Sequence, residues 1–205
     1  MGRFKVKKQD TFIDMTPMSD VMVLLLTFFM LTATFVKEEP VKVNAPGSVS
    51  EIKIPDANLL TIFVEKTGKV FLTMDNPTGQ TAMLDEVMTR TPSLKLTDEQ
   101  QKSFRNCPTF GTPLNVLSSW LDLEPAERNL YLNKNEKAGV PCDSLNDELK
   151  VWVEAARSAN GENMRIAIKA DQHTSYAVIK KVMDSLRSIH ENRYNLITAL
   201  KNGEE

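Results

Sequence analysis

The run from Asp14 to Val36, DMTPMSDVMVLLLTFFMLTATFV, constrains this chain more than any other feature. Between Val21 and Val36 lie sixteen consecutive residues without a charge. As a helix, Pro17 to Val36 rises about 30 Å, roughly one hydrocarbon core. Thr16-Pro17 reads as its start: proline suits the first helical position, and the Thr16 hydroxyl is the expected N-cap. Lys37-Glu38-Glu39-Pro40 ends it. A cleaved signal peptide and a buried helix of a soluble core are the competing readings. Signal cores are shorter and seldom open on proline and aspartate. A soluble helix is rarely apolar on nearly all faces, so the sequence predicts one uncleaved span over residues 16–36.

That span carries one carboxylate, Asp20. At 100° per residue, a step of seven returns to nearly the same face, which aligns Asp20, Thr27 and Thr34, with Thr16 one turn below. Threonines in membrane helices often only bond a backbone carbonyl one turn back. An intramembrane carboxylate, in contrast, usually faces a bundle interior or an aqueous path. A plain interfacial charge favoured by the helix dipole is the other reading of Asp20. Desolvation raises a carboxyl pKa, so a group placed here can switch between charged and neutral as protons arrive.

Lys and Arg near the ends set orientation. Arg3, Lys5, Lys7 and Lys8 precede the span, and only Lys37 and Lys42 follow within fifteen residues. The N-terminus is therefore expected in the cytoplasm and the C-terminal bulk outside, in a periplasm where there is one. The remaining chain is ordinary: 41% hydrophobic, 25% charged, net charge -2, with a mean hydropathy of -0.27 that excludes a polytopic membrane protein. The balanced charge lacks the basic face of a nucleic-acid binder. The sequence has two histidines and two cysteines and lacks CxxC, HExxH, GKS/T and GxGxxG. Neither an enzyme nor a metal or other cofactor is expected.

MTPMSDVMVLLLTFFM resembles the membrane segment of the ExbD/TolR family of biopolymer-transport proteins. VKVNAP (41–46) resembles that family's first extracytoplasmic segment, LLTIFVEKTGKVFL its first hairpin, and MRIAIKADQHTSYAVIKKVMDSLRSIHENRYNLIT its closing strand–helix–strand. The resemblance implies an inner-membrane motor subunit driven by the proton motive force. It implies a homodimer inside a ring of a multi-span ExbB/TolQ-like partner, surrounded by membrane lipid, that energises a TonB-like transducer for outer-membrane import. In this reading Asp20 is the proton carrier, and Thr16, Thr27 and Thr34 form a pore-facing polar stripe. The chain departs from the family over about 76–162, a connection much longer than usual. The alternative is a membrane-anchored scaffold, or a ligand- or peptidoglycan-binding protein, without proton coupling.

The expected organisation is a cytoplasmic tail (1–15), the span (16–36), a linker (37–58) and an α+β periplasmic domain (59–200) with a helical insert. Val41, Lys42 and Val43 alternate as a strand would, so this piece could add to a sheet edge for dimer or partner docking, or serve as a plain tether. Leu60–Glu65 and Val70–Met74 are expected to form a hairpin about KTGK, with Gly68 in the left-handed region. Thr97 to Gln100 has the form of a capping box. Further helices are expected near Pro113–Leu121 and along the face marked by Leu145, Leu149, Trp152, Val153 and Ala156. Met164–Lys169 reads as a strand, Ser175–Glu191 as a helix and Leu196–Ala199 as the closing strand. Cys107 and Cys142 both lie in the insert, and a disulfide between them suits an oxidising compartment. Asp171 and His173 follow a strand, where either a site or a simple turn carboxylate can sit.

Overall fold

The computed structural model describes residues 14–32, 43–48, 58–135, 137–143, 146–161, 163–197 and 199–200. The chain divides into two units, Met1–Lys37 and Glu38–Glu205.

In the first unit, α1 runs Thr16–Thr32, 17 residues with none buried. Its first backbone bond, Ser19 N–H to the Met15 carbonyl, is 3.1 Å. The expected Thr16 cap is replaced: the Asp14 carboxylate accepts from the Thr16 amide at 3.0 Å and from the Thr16 hydroxyl at 2.5 Å. The Thr16 hydroxyl is thus spent as a donor to Asp14, whose carboxylate suits the positive end of the helix dipole. At 1.5 Å per residue α1 measures about 25 Å. Among the described residues no helix is long and apolar enough to cross a membrane. Residues 33–36 of the expected span lie outside the described residues.

The second unit is built on a mixed five-stranded sheet ordered β4-β3-β2-β7-β8. Its strands are β2 (Leu59–Val64), β3 (Val70–Met74), β4 (Thr109–Phe110), β7 (Arg165–Ala170) and β8 (Tyr194–Leu196). All six residues of β2 are buried, as a central strand covered on both faces requires. β2 and β3 form the expected hairpin, Leu60 opposite Met74 and Phe63 opposite Phe71. Gly68 supplies the turn at φ 89°, a conformation that costs other residues steric strain. β7 lies parallel to β2, Leu60 beside Ile166, and β8 parallel to β7. Parallel neighbours need crossovers. α7 (Tyr176–Ser188) makes the second, while the first carries the whole insert.

That crossover contains α2 (Pro77–Arg90), α3 (Asp98–Arg105), α4 (Leu114–Leu121), α5 (Pro125–Lys134) and α6 (Glu148–Asn160). α3 starts on the expected capping box, Thr97 and Gln100 bonding each other's backbone. α2 opens on Asn76-Pro77 and α5 on Glu124-Pro125, two proline starts. Leu149, Trp152, Val153 and Ala156 form the buried face of α6, as expected. Leu145 lies outside the described residues. Phe104 and Phe110 pack on Trp152 with ring centroids 5.9 and 4.8 Å away. These rings share one continuous core with Ile62, Phe71 and Ile168 of the sheet. The insert is thus a second layer of the same α+β body.

The closing strand differs from expectation. β8 ends at Leu196, and β9 (Ala199–Leu200) leaves the sheet to pair parallel with β1 (Gly47–Ser48). The linker does contribute a strand, but at 47–48. The last two strands, β5 (Cys142–Asp143) and β6 (Asn146–Asp147), form a small antiparallel pair.

Candidate functional site

Along α1, Asp14, Thr16, Pro17, Ser19, Asp20 and Val23 line one open hollow of about 610 Å3. Asp20 and Thr16 therefore share a face, as their spacing predicts, and Ser19 and Asp14 join them. The Thr16 bonds hold the Asp14 carboxyl below the usual carboxylate range, so Asp14 stays ionised near neutral pH. Thr27 donates its hydroxyl to the Leu24 carbonyl at 2.9 Å. Thr32, off the stripe, does the same to Phe28 at 2.8 Å. These are the local backbone bonds that the plain reading of membrane threonines predicts. Such a hydroxyl still has lone pairs free to accept. Thr34 lies outside the described residues.

In the second unit the linker segment is docked. Val43 is 8% exposed and belongs to the core, while Val41 and Lys42 lie outside the described residues. The Asn44 amide donates to Asp171 Oδ2 at 3.1 Å, and the Gln172 amide donates to the Asn44 carbonyl at 2.9 Å. Asp171 Oδ1 accepts from the His173 amide at 2.9 Å. The turn reading of Asp171 holds, with an added long-range partner. The His173 bond, reinforced by that to Asn44 against some burial, lowers the Asp171 carboxyl below its ordinary value.

An open polar cavity of about 960 Å3 lies where the α6–β7 and α7–β8 turns meet, lined among others by Arg157, Asn163, Arg165, His190, Arg193 and Tyr194. Arg157 ties the two turns together. It pairs with both oxygens of Glu191, at 2.5 and 2.7 Å, and donates to the Met164 carbonyl at 2.8 Å. His190 ends α7 in a Schellman turn at φ 62°: the Glu191 amide reaches the Leu186 carbonyl at 3.0 Å and the His190 amide reaches Arg187 at 3.1 Å. Glycine is usual there, and histidine places an imidazole on the cavity rim. Sequence reading missed this cavity; a histidine at a helix end beside scattered arginines and asparagines is a weak signal.

Cys107 and Cys142 are free thiols in the structure, where a bridge was expected. Cys107 Sγ instead accepts from the buried Arg128 guanidinium at 3.3 Å. Arg128 also donates to the Leu121 and Leu123 carbonyls, both at 2.7 Å. Burial pushes both thiols up, with Arg128 partly offsetting the effect at Cys107 and Asp143 and Asp147 adding to it at Cys142. No group of three or more potential metal ligands occurs among the described residues.

The model of the family described as ExbD, biopolymer transport protein ExbD/TolR, matches residues 7–200. The biopolymer transport protein exbD2 of Vibrio cholerae serotype O1 (strain ATCC 39315 / El Tor Inaba N16961) is 34% identical over 59 residues, covering 29% of this chain and 44% of that relative. The chain thus aligns with less than half the length of this curated relative. No solved structure matches.

Proposed function

The chain belongs to the ExbD/TolR family of biopolymer transport proteins, and from that premise we propose that it is a motor subunit driven by the proton motive force. In this reading residues 16–36 cross the inner membrane once, with the N-terminus in the cytoplasm. Asp20 takes up and releases the proton, and the protein couples energy without catalysing a reaction. A dimer of the chain would sit among ExbB/TolQ-like helices and act on a TonB-like transducer that serves an outer-membrane importer.

The observation that carries the proposal is the reach of the family match. It takes in the Asp20-bearing helix together with the sheet. Physical chemistry supports it. A carboxylate one turn inside an otherwise uncharged helix needs a partner or water to offset its cost in hydrocarbon. Each proton crossing 100 mV delivers about 2.3 kcal/mol, so several per cycle would drive a large mechanical step.

The test is Asp20→Asn, which keeps size and hydrogen-bonding capacity but cannot ionise. Membrane insertion and the level of the protein should stay normal while energised uptake is abolished. Normal uptake in this variant would sink the reading.

A second reading, a membrane-anchored binding protein, is favoured by the polar cavity around Arg165, His190 and Arg193. It gives the opposite pattern: tolerance of Asp20→Asn and loss of function in Arg165→Glu/Arg193→Glu.

A further inference from the structure

The open cavity of about 960 Å3 at the α6–β7 and α7–β8 turns gathers positive charge that the fold does not answer. Glu191 is the one carboxylate among the described residues lining it, and Arg157 takes both of its oxygens. Arg157 also donates to the Gly161 and Met164 carbonyls, at 3.2 and 2.8 Å, where α6 gives way to β7. Its charge is therefore spent inside the protein. Glu154, in the adjoining hollow, pairs with Arg90 at 2.8 Å.

Arg165 and Arg193 differ from Arg157. β7 and β8 run parallel with Ile166 beside Tyr194, and each arginine precedes one member of that pair. Matched positions on neighbouring strands lie about 5 Å apart and face the same side. Both arginines line the cavity and are exposed, and among the described residues neither forms an ion pair. Like charges side by side on a sheet are destabilising. Two of them kept together at one cavity are arranged for an anion from outside.

The chemistry of the pair narrows that anion. Two guanidinium forks suit a tetrahedral oxyanion, and two charges match a dianion better than a single carboxylate. A phosphate monoester carries about −1.5 to −2 near neutral pH. The cavity is wider than one phosphate group. Asn163, Asn192 and Asn195 line the rest, and their amides can both donate to and accept from a hydroxylated remainder.

We propose that Arg165 and Arg193 form a binding site for the phosphate group of a small polar phosphate monoester. The inference goes beyond the motor reading and does not depend on it. It names a ligand class for the cavity that favours the binding-protein reading. That reading fails on function in the Arg165→Glu/Arg193→Glu chain, whereas this proposal fails on binding alone.

Isothermal titration of the full-length chain in maltoside micelles tests it, with glycerol 3-phosphate as the probe. Binding should saturate with a Kd of about 1 mM or tighter. Glycerophosphoglycerol, a soluble lipid headgroup whose phosphodiester carries a single charge, should bind more weakly. Arg165→Gln/Arg193→Gln should weaken the monoester about tenfold or more. Lys102→Gln/Arg105→Gln removes the same charge from exposed positions of α3 off the cavity and should leave binding unchanged. If the first double variant does not fold, Arg193→Gln alone, in the turn before β8, carries the test with the same expected direction. The proposal is overturned if the monoester shows no saturable binding at about 10 mM, or if the cavity variant binds it as well as the unsubstituted chain. Equal weakening by the α3 variant would also overturn it, by showing attraction to net charge. A headgroup that bound as tightly as the monoester, or tighter, would assign the arginines to a lipid surface instead.

Discussion

Single residues carry most of the chemistry, and their titration can be reasoned with sign. Asp171 has a folded-state pKa below its unfolded value, so its contribution is complete above the ordinary carboxylate value near 3.9. It is lost only as pH falls through the lowered folded value. Protection of the Asn44 amide, which donates to Asp171, should therefore be flat from about pH 5 to 8 with respect to this group and should fail in stronger acid. Exchange of the Asn44 amide across that range checks it, and a loss of protection near pH 6 would assign control to another group. Burial raises the Cys107 and Cys142 thiols, so both should resist a thiol reagent in the native state at pH 7, Cys107 more because it is buried. After denaturation without reductant both should react; a count below two would restore the bridge expected from the sequence. Asp20 was legible because a lone carboxylate in an apolar run stands out from the sequence alone. The Asp171–Asn44 contact was not, because the partners lie 127 residues apart and one of them is a backbone amide.

Elements were legible where their signals are local. Lys-Thr-Gly-Lys gave the β2–β3 turn and Thr97 to Gln100 gave the start of α3, because both depend on neighbouring residues. The two-residue strands β1, β4, β5, β6 and β9 carry no period to read and exist only through their tertiary partners. α2 and α5 had a readable signal, proline after Asn76 and after Glu124, which the weak polarity contrast of their sequences obscured. The capping box allows a graded test. Thr97→Ala removes one of its two reciprocal bonds and should cost about 1 kcal/mol. Gln100→Ala should cost more, about 1–3 kcal/mol. Gln100 is 7% exposed, and its amide also donates to the Ser118 carbonyl and hydroxyl and to Asp122 at 2.8 Å, tying α3 to α4. Urea melts of the two variants should separate in that order; equal midpoints would mean that the α3–α4 bonds contribute nothing.

At the scale of the whole molecule, the helical insert expected from about 76 to 162 is part of the core. Its helices close over the sheet. Phe104, Phe110 and Trp152 are each at most 1% exposed and pack in the same cluster as Phe71 and Ile168. Arg90 of α2 pairs with Glu154 of α6 at 2.8 Å within the insert, and Arg157 of α6 reaches Glu191 beyond α7, a polar contact that crosses the insert boundary. A body with one core should unfold in one step. The two tryptophans of the chain, Trp120 and Trp152, both lie in the insert and report on it by fluorescence. Exchange protection of β2 and β7 reports on the sheet. In denaturant the two signals should vanish together, and Trp152→Ala, which should cost about 3–5 kcal/mol, should shift both midpoints equally. An insert that lost its fluorescence signal while β2 and β7 stayed protected would be a separate folding unit. Coincident transitions mean that the enlargement is structural support for the sheet, so any surface it offers a partner is held rigidly against β2 and β7.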